Sequence, residues 1–451
     1  MFRKGRWLAW TLSILLGVGV FRHFTLADNP VEVSSILRRT EIQSEAPILS
    51  DGSTKPKASR PTSVPVDPRI LAVEEFLASD SFSLALPLVE DCLVDMPESP
   101  RVRRNASLVY LGLAIQASTQ GNDRTALSFA QQAMDMDGLK GAPHAFYGQV
   151  LLQLGRHQEA ELHLQESMER YPENPEGYYF GIRSAFLLGD YAEAVRRAEQ
   201  ALSLRPSWAS AQTWLERARN EEAPWRLGQR WTSAHFICVI SQKNASLISL
   251  APYVSEALES AVLMVEQELG VSLDEPVLVL LSPKADFQVG APSWASGLYD
   301  GRIRLPVEED TDADVFEATL LHEVTHAVLH RAGFHLPTWL GEGLAQWMEG
   351  KDVSRARRRL QDAAQAGQLP SAAALREQWV SWSSQSRVQH AYDFALSLTA
   401  WIQEEYGQEV LRNVLNALQQ NDLKVVSQRL LGLPFSVLEQ RHRHWLEETV
   451  K

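Results

Sequence analysis

Apolar and polar positions divide the 451-residue chain into stretches of different character. Behind Arg3, Lys4 and Arg6 an apolar run extends from Trp7 to Phe21 and is broken by Arg22 and His23. At 1.5 Å per residue a helix over that run spans about 22 Å, short of a hydrocarbon core of about 30 Å. A basic start followed by a short apolar run is the pattern of a secretory signal, with Thr25-Leu26-Ala27 as the cleavage site. The alternative is an uncleaved anchor extending through Leu26. Either way the basic residues stay on the cytoplasmic side and the remainder is exported, to a bacterial-type periplasm or cell envelope, anchored or secreted. Residues 28–66 show neither helical nor strand periodicity, contain no aromatic residue and cluster Ser, Thr and Pro, which predicts a linker.

A periodic pattern follows. Gly121, Gly155 and Gly189 are spaced by 34 residues, as are Ala126, Ala160 and Ala194, Tyr110, His144 and Tyr178, and Gly138, Pro172 and Pro206. Each unit reads as two amphipathic helices: the Gly closes the first, the Ala lets the second pack close to it, and the Pro or Gly ends the unit. The columns cover about 107–208 in three units and resemble the tetratricopeptide repeat, with a looser unit upstream around Phe82 and Ala85. Such units stack into a curved array. Its inner face either binds a protein or peptide partner, or the array serves as a spacer or brace for the next domain.

Charge and cysteine usage narrow the classes. Lys plus Arg number 43 against 56 Asp plus Glu, a formal charge of −13, so the chain lacks the basic stripe that nucleic-acid phosphates require. Cys92 and Cys238 are the only cysteines, too few for a disulfide framework or a thiolate cage, and both read as buried small hydrophobes.

From about Trp225 the pattern changes. Phe236–Ile240 reads as a strand, Leu250 to Leu269 as a helix ending at Gly270, and Val277–Leu281 as a buried strand. Asp300-Gly301 predicts a hairpin turn between Leu298-Tyr299 and Arg302–Leu305, and the rest of the chain is helical. Strands first and helices later is an α+β order.

In that helical stretch stands His322-Glu323-Val324-Thr325-His326. Histidines four apart on a helix share a face, which brings two imidazole nitrogens within reach of one metal ion. Glu323 lies one residue round, placed to touch a metal-bound water without ligating. Asp312 or Thr311 caps this helix and Gly333 ends it. Sixteen residues after His326, Glu342 sits in a second helix and completes His, His, Glu, one of the sets that hold a catalytic zinc with an open position. Gly341 and Gly343 beside it are expected to admit the first helix. Arg355, Arg357, Arg358 and Arg359 read as a solvated helix face, and His330 as a surface or supporting residue.

These motifs resemble the gluzincin metallopeptidases, in particular peptidase MA-like domains with a Trp-Leu-x-Glu-Gly-x-Ala segment, here Trp339-Leu340-Gly341-Glu342-Gly343-Leu344-Ala345. The likeness covers about 230–408. It implies one zinc ion on His322, His326 and Glu342, Glu323 as general base, and a sheet edge near Leu298–Leu305 along which an extended peptide substrate lies. Tyr392 and His390 are the candidates for an oxyanion donor. A core-packing helix residue is the alternative for Tyr392, a solvated or hydrogen-bonded histidine that for His390. Where many relatives place an acid four residues after the ligand Glu to hold a metal-bound His, this chain has Gln346, which implies weaker support of the metal.

The expected organisation is a signal or anchor over 1–27, a linker over 28–66, an all-α repeat array over 67–222 and an α+β metallopeptidase domain over 223–451. The expected activity is hydrolysis of peptide bonds in an exported protein. The alternative is a repeat scaffold whose peptidase-like domain binds metal or peptide without turnover.

Overall fold

The computed structural model describes residues 20–21 and 66–448, except 137, 140, 226–227, 290–294, 335, 372–373, 377–378, 380–381, 383 and 419–422. The expected signal and linker segments fall almost wholly outside the described residues. The chain forms two compact units, residues 26–219 and residues 220–451 together with 1–25.

Among the described residues the first unit is built of helices only. They are α1 (Pro68–Ala78), α2 (Phe82–Asp95), α3 (Pro100–Thr119), α4 (Asp123–Asp135), α5 (Ala142–Gln153), α6 (His157–Arg170), α7 (Pro175–Leu187) and α8 (Tyr191–Leu204). A ninth helix, α9 (Ala209–Trp225), contains the division between the units. The 34-residue columns have a common physical basis. Gly121, Gly155 and Gly189 all take left-handed backbone, with φ of 75°, 74° and 79°. That turn lets Asn122, Arg156 and Asp190 each donate a backbone N–H to the carbonyl five residues back, at 2.9 Å. Ala126, Ala160 and Ala194 are fully buried where paired helices approach each other. Pro100, Pro143 and Pro175 sit in the first turn of α3, α5 and α7, where no N–H is needed. The looser upstream unit is the pair α1–α2, joined to α3 through the Phe82 ring against Gly112.

The second unit carries a six-stranded mixed sheet in the order β1-β5-β6-β4-β3-β2. Its strands are β1 (Val20–Phe21), β2 (Gln229–Thr232), β3 (Phe236–Ile240), β4 (Val277–Ser282), β5 (Leu298–Tyr299) and β6 (Ile303–Pro306). β3, β4 and β6 run parallel, flanked by antiparallel β2 and β5. Gly301, at φ 90°, turns the β5–β6 hairpin as the Asp-Gly pair predicts. β1 lies parallel to β5 and comes from the apolar run at the N-terminus.

The helices of this unit are α10 (Ala251–Leu269), α11 (Lys284–Val289), α12 (Ala313–Arg331), α13 (Thr338–Met348), α14 (Val353–Gln365), α15 (Gln385–Tyr406), α16 (Val410–Leu418), α17 (Leu423–Leu431) and α18 (Phe435–Glu448). Among the described residues one stretch, Gln242–Leu269, is long and apolar enough to cross a membrane by length and composition. Its Val254, Leu258, Ala261, Val262, Val265 and Leu269 are packed into the core of this unit. Cys92 and Cys238 are both buried and unbridged, as their isolation suggests.

Helix α12 is buried on every side from Thr319 to Leu329, because it lies between the sheet and the α13–α15 layer. One local expectation is corrected. Gly341 and Gly343 do not both serve α12. Nothing lies within 4 Å of where a Cβ on Gly341 would stand, whereas one on Gly343 would run into Thr399 Oγ1 and lie 2.6 Å from the Ala395 carbonyl oxygen on α15. Gly343→Ala is therefore expected to lower stability by about 1–3 kcal/mol through overpacking. Gly341→Ala on the same helix is expected to be neutral or mildly stabilising. Denaturant melts of the two variants check this, and equal midpoints would contradict it.

Candidate metal centre

Helix α12 starts where Asp312 accepts a hydrogen bond from the Val315 N–H at 3.1 Å. It stops where Gly333, at φ 76°, lets Phe334 N–H reach the Leu329 carbonyl at 3.1 Å. Its length places His322 and His326 in mid-helix, stacked on one face with their rings 4.8 Å apart. Helix α13 brings Glu342 to the same place. The Nε2 atoms of His322 and His326 are 3.1 Å apart, and Glu342 Oε2 lies 3.6 Å from the first and 3.5 Å from the second. All three residues are 1% exposed or less. Donors at the corners of a tetrahedron around a zinc ion at 2.0–2.1 Å stand about 3.3 Å apart. The observed triangle has that size.

A buried carboxylate oxygen normally holds a hydrogen bond of ordinary length. Glu342 Oε2 does not, and it faces two imidazoles at distances too long for one. A shared cation suits such a triangle better than a set of direct bonds. The residues present fit a zinc ion by donor type, number and spacing.

Charge is concentrated here. Burial opposes a charged His322, but the Glu342 and Glu349 carboxylates outweigh it and raise the ring to about 10. Burial also works against an ionised Glu342, yet His326 and His322 bring it down to about 2. His326 is lowered, chiefly by burial. Glu323 is fully buried, and burial raises it to about 8 even though the Tyr299 backbone N–H works in the opposite direction. Gly297 permits this crowding: a Cβ there would lie 2.8 Å from Glu323 Oε1. The backbone just ahead of β5 thus lies directly against the Glu323 carboxylate.

The structure replaces the expected role of Gln346 and supplies a residue that the sequence pattern did not single out. Gln346 does not touch either histidine. Its Nε2 donates to the Tyr392 and Glu342 carbonyls, at 3.0 and 3.2 Å, and ties α13 to α15. The acid on His322 is Glu349, whose Oε2 lies 3.0 Å from Nδ1. Glu349 is seven residues after Glu342, two helical turns along the same face, and its side chain is 4% exposed. Lys351 in turn holds Glu349 Oε1 at 2.7 Å. That i+7 spacing from Glu342 was the available signal, and it is weak without the fold.

The remaining candidates are placed as follows. Tyr392 on α15 is buried edge-on against Trp379, with ring centroids 5.1 Å apart. Burial, followed by the Glu342 and Glu323 charges, pushes its phenol well above the ordinary value, which puts it within electrostatic reach of the site. His390 is half-buried on the same helix. His330 is not a simple surface residue, since its Nδ1 lies 2.9 Å from the Tyr299 hydroxyl on β5. The arginine run is only partly solvated: Arg359 pairs with Asp393 and Arg357 with Glu404 at 2.8 Å, so two of its members tie α14 to α15.

A family model described as Peptidase_MA_2, Peptidase MA superfamily, matches residues 257–448. No curated protein matches the chain. Solved structures similar to it include the Arabidopsis OM64 TPR domain, at 23% identity over 26% of this chain and 98% of that one, with a TM-score of 0.25. The first TPR domain of human RPAP3 matches at 19% identity over 27% of this chain and 94% of that one, TM-score 0.26. A thermophilic TPR protein in Thermus thermophilus matches at 20% over 34% and 82%, TM-score 0.27. Residues 257–448 thus match the Peptidase MA superfamily model, and the helix pairs ahead of them recur every 34 residues.

Proposed function

We propose that the protein is an exported zinc metallopeptidase that hydrolyses peptide bonds, with a repeat array that recruits protein. The observation that carries this is the triangle of His322 Nε2, His326 Nε2 and Glu342 Oε2, 3.1–3.6 Å on a side, with the buried Glu323 carboxylate next to it.

His322, His326 and Glu342 would hold the ion, and Glu349, bonded to His322 Nδ1, orients that ring and leaves its Nε2 as the donor. When bound, zinc supplies a Lewis acid that polarises a carbonyl and makes a water easier to deprotonate. Glu323 takes the proton from the attacking water at its carboxylate and returns it to the leaving amine. Tyr392 donates its phenol hydrogen to the developing oxyanion.

An extended substrate pairs with the backbone of β5, beside Gly297 and Glu323. Removal or membrane insertion of the N-terminal segment withdraws β1 and leaves β5 as the outer strand. Export itself is supported by the basic start and apolar run over 3–21. Glu349 in contact with His322 supports the enzyme reading over a non-catalytic scaffold, because it supplies the acid that Gln346 lacks.

Full-length protein loaded with zinc is expected to cleave an unfolded protein substrate. Glu323→Gln should slow cleavage by about 10²–10⁴-fold and keep the metal. Equal cleavage by the two proteins would overturn the enzyme assignment. A second expectation separates the two residues that compete for the supporting role. Glu349→Gln should weaken zinc binding by about 10–100-fold in chelator competition, while Gln346→Ala leaves it nearly unchanged. The reverse order would return Gln346 to that role.

A further inference from the structure

We propose a second metal site in the repeat array, made by His144, His163 and Glu166, which takes one zinc-like divalent ion between α5 and α6. It stands independently of the zinc proposed on His322, His326 and Glu342.

The three residues offer one donor atom each, all within 4.8 Å of one another. His144 is on α5; His163 and Glu166 are one turn apart on α6, the i, i+3 spacing that puts two donors on one helix face. All three are half-buried, so a bound ion is partly shielded from bulk water. The His163 ring is held against Tyr147, centroids 4.5 Å apart, and its Nδ1 is buried with no hydrogen-bond partner among the described residues. Arg170 bonds Glu166 Oε1 at 2.7 Å and orients that carboxylate. Side-chain rotation closes the remaining gap to the spacing of about 3.3 Å that a tetrahedral zinc sets between its donors.

The repeat itself provides an internal comparison. Thirty-four residues before and after His144 stand Tyr110 and Tyr178; the counterparts of His163 are Phe129 and Arg197, and those of Glu166 are Gln132 and Gln200. All three donors therefore depart from their columns in the same unit. In the next unit the His163 column carries a built-in cation, Arg197, which is buried and paired with Glu161 and Glu193. In the middle unit that column carries an imidazole, with a carboxylate one turn on, so metal donors stand where the next unit has a guanidinium.

Two imidazoles and one carboxylate suit a borderline cation such as zinc and exclude a hard ion that requires oxygen ligands only. Three protein donors leave a position for water or for a side chain of a partner. The ion would clamp the two helices of one unit to each other, since it binds the folded pair and not the open chain.

The test is zinc content per chain. Metal-stripped full-length protein is equilibrated with zinc chloride, dialysed and measured by mass spectrometry of the metal. Wild type should hold two ions, Glu166→Gln and His144→Tyr one each, His326→Ala one, and His326→Ala/His144→Tyr none. The two repeat variants carry residues found in the flanking units, so the helix pair is expected to fold, and circular dichroism checks that it does. In the His326→Ala background, zinc should also raise the melting temperature, and His144→Tyr should remove that rise. Loss of all zinc in His326→Ala alone overturns the second site and leaves the proposed peptidase centre standing. Zinc retained by His326→Ala and lost on adding His144→Tyr supports the second site whatever the fate of the first.

Discussion

The second unit depends on how a buried excess of negative charge is balanced. Glu342, Glu323 and Glu349 gather around two imidazoles with almost no exposed side-chain surface. Carboxylates in such surroundings either take up protons or are matched by a cation. The shifts at this centre run toward the first solution: against burial, the Glu342 and Glu349 carboxylates raise His322, and burial raises Glu323. A divalent ion answers the same excess at the centre of the donor triangle and releases those protons, which couples metal binding to pH and to folding. The packing of α12 against α13, and of α13 against α15 through Gly343, keeps the donors close enough for this balance.

Much of this was legible in the sequence. The 34-residue columns are visible because each does a job only one residue type does well: Gly121, Gly155 and Gly189 take positive φ, and Ala126, Ala160 and Ala194 leave room for a neighbouring backbone. The clustering of the three donors was legible because helical spacing alone puts His322 and His326 on one face, and Glu342 follows in a helix whose start is marked by Pro337. The hairpin at Asp300-Gly301 follows from turn chemistry in the same way.

What the pattern did not show depends on contacts between distant segments. Gln346 and Glu349 both lie on α13 or its end, and their spacing from Glu342 allowed either to face His322. The packing of α15 decides it by occupying the Gln346 side. The pairing of Arg357 and Arg359 with α15 has no local signal, since their partners are 47 and 34 residues away. Strand β2, exposed along most of its length, lacks the apolar alternation that marks a strand. His144, His163 and Glu166 stand out only as departures from the repeat, and only the fold brings them together.

The central claim is that His322, His326 and Glu342 share one zinc ion. Anomalous diffraction from zinc-loaded crystals at the zinc edge tests it most directly. The account predicts a peak about 2.0–2.2 Å from both Nε2 atoms and a Glu342 carboxylate oxygen. Zinc bound elsewhere in the same crystal, with no peak between these three side chains, would contradict it.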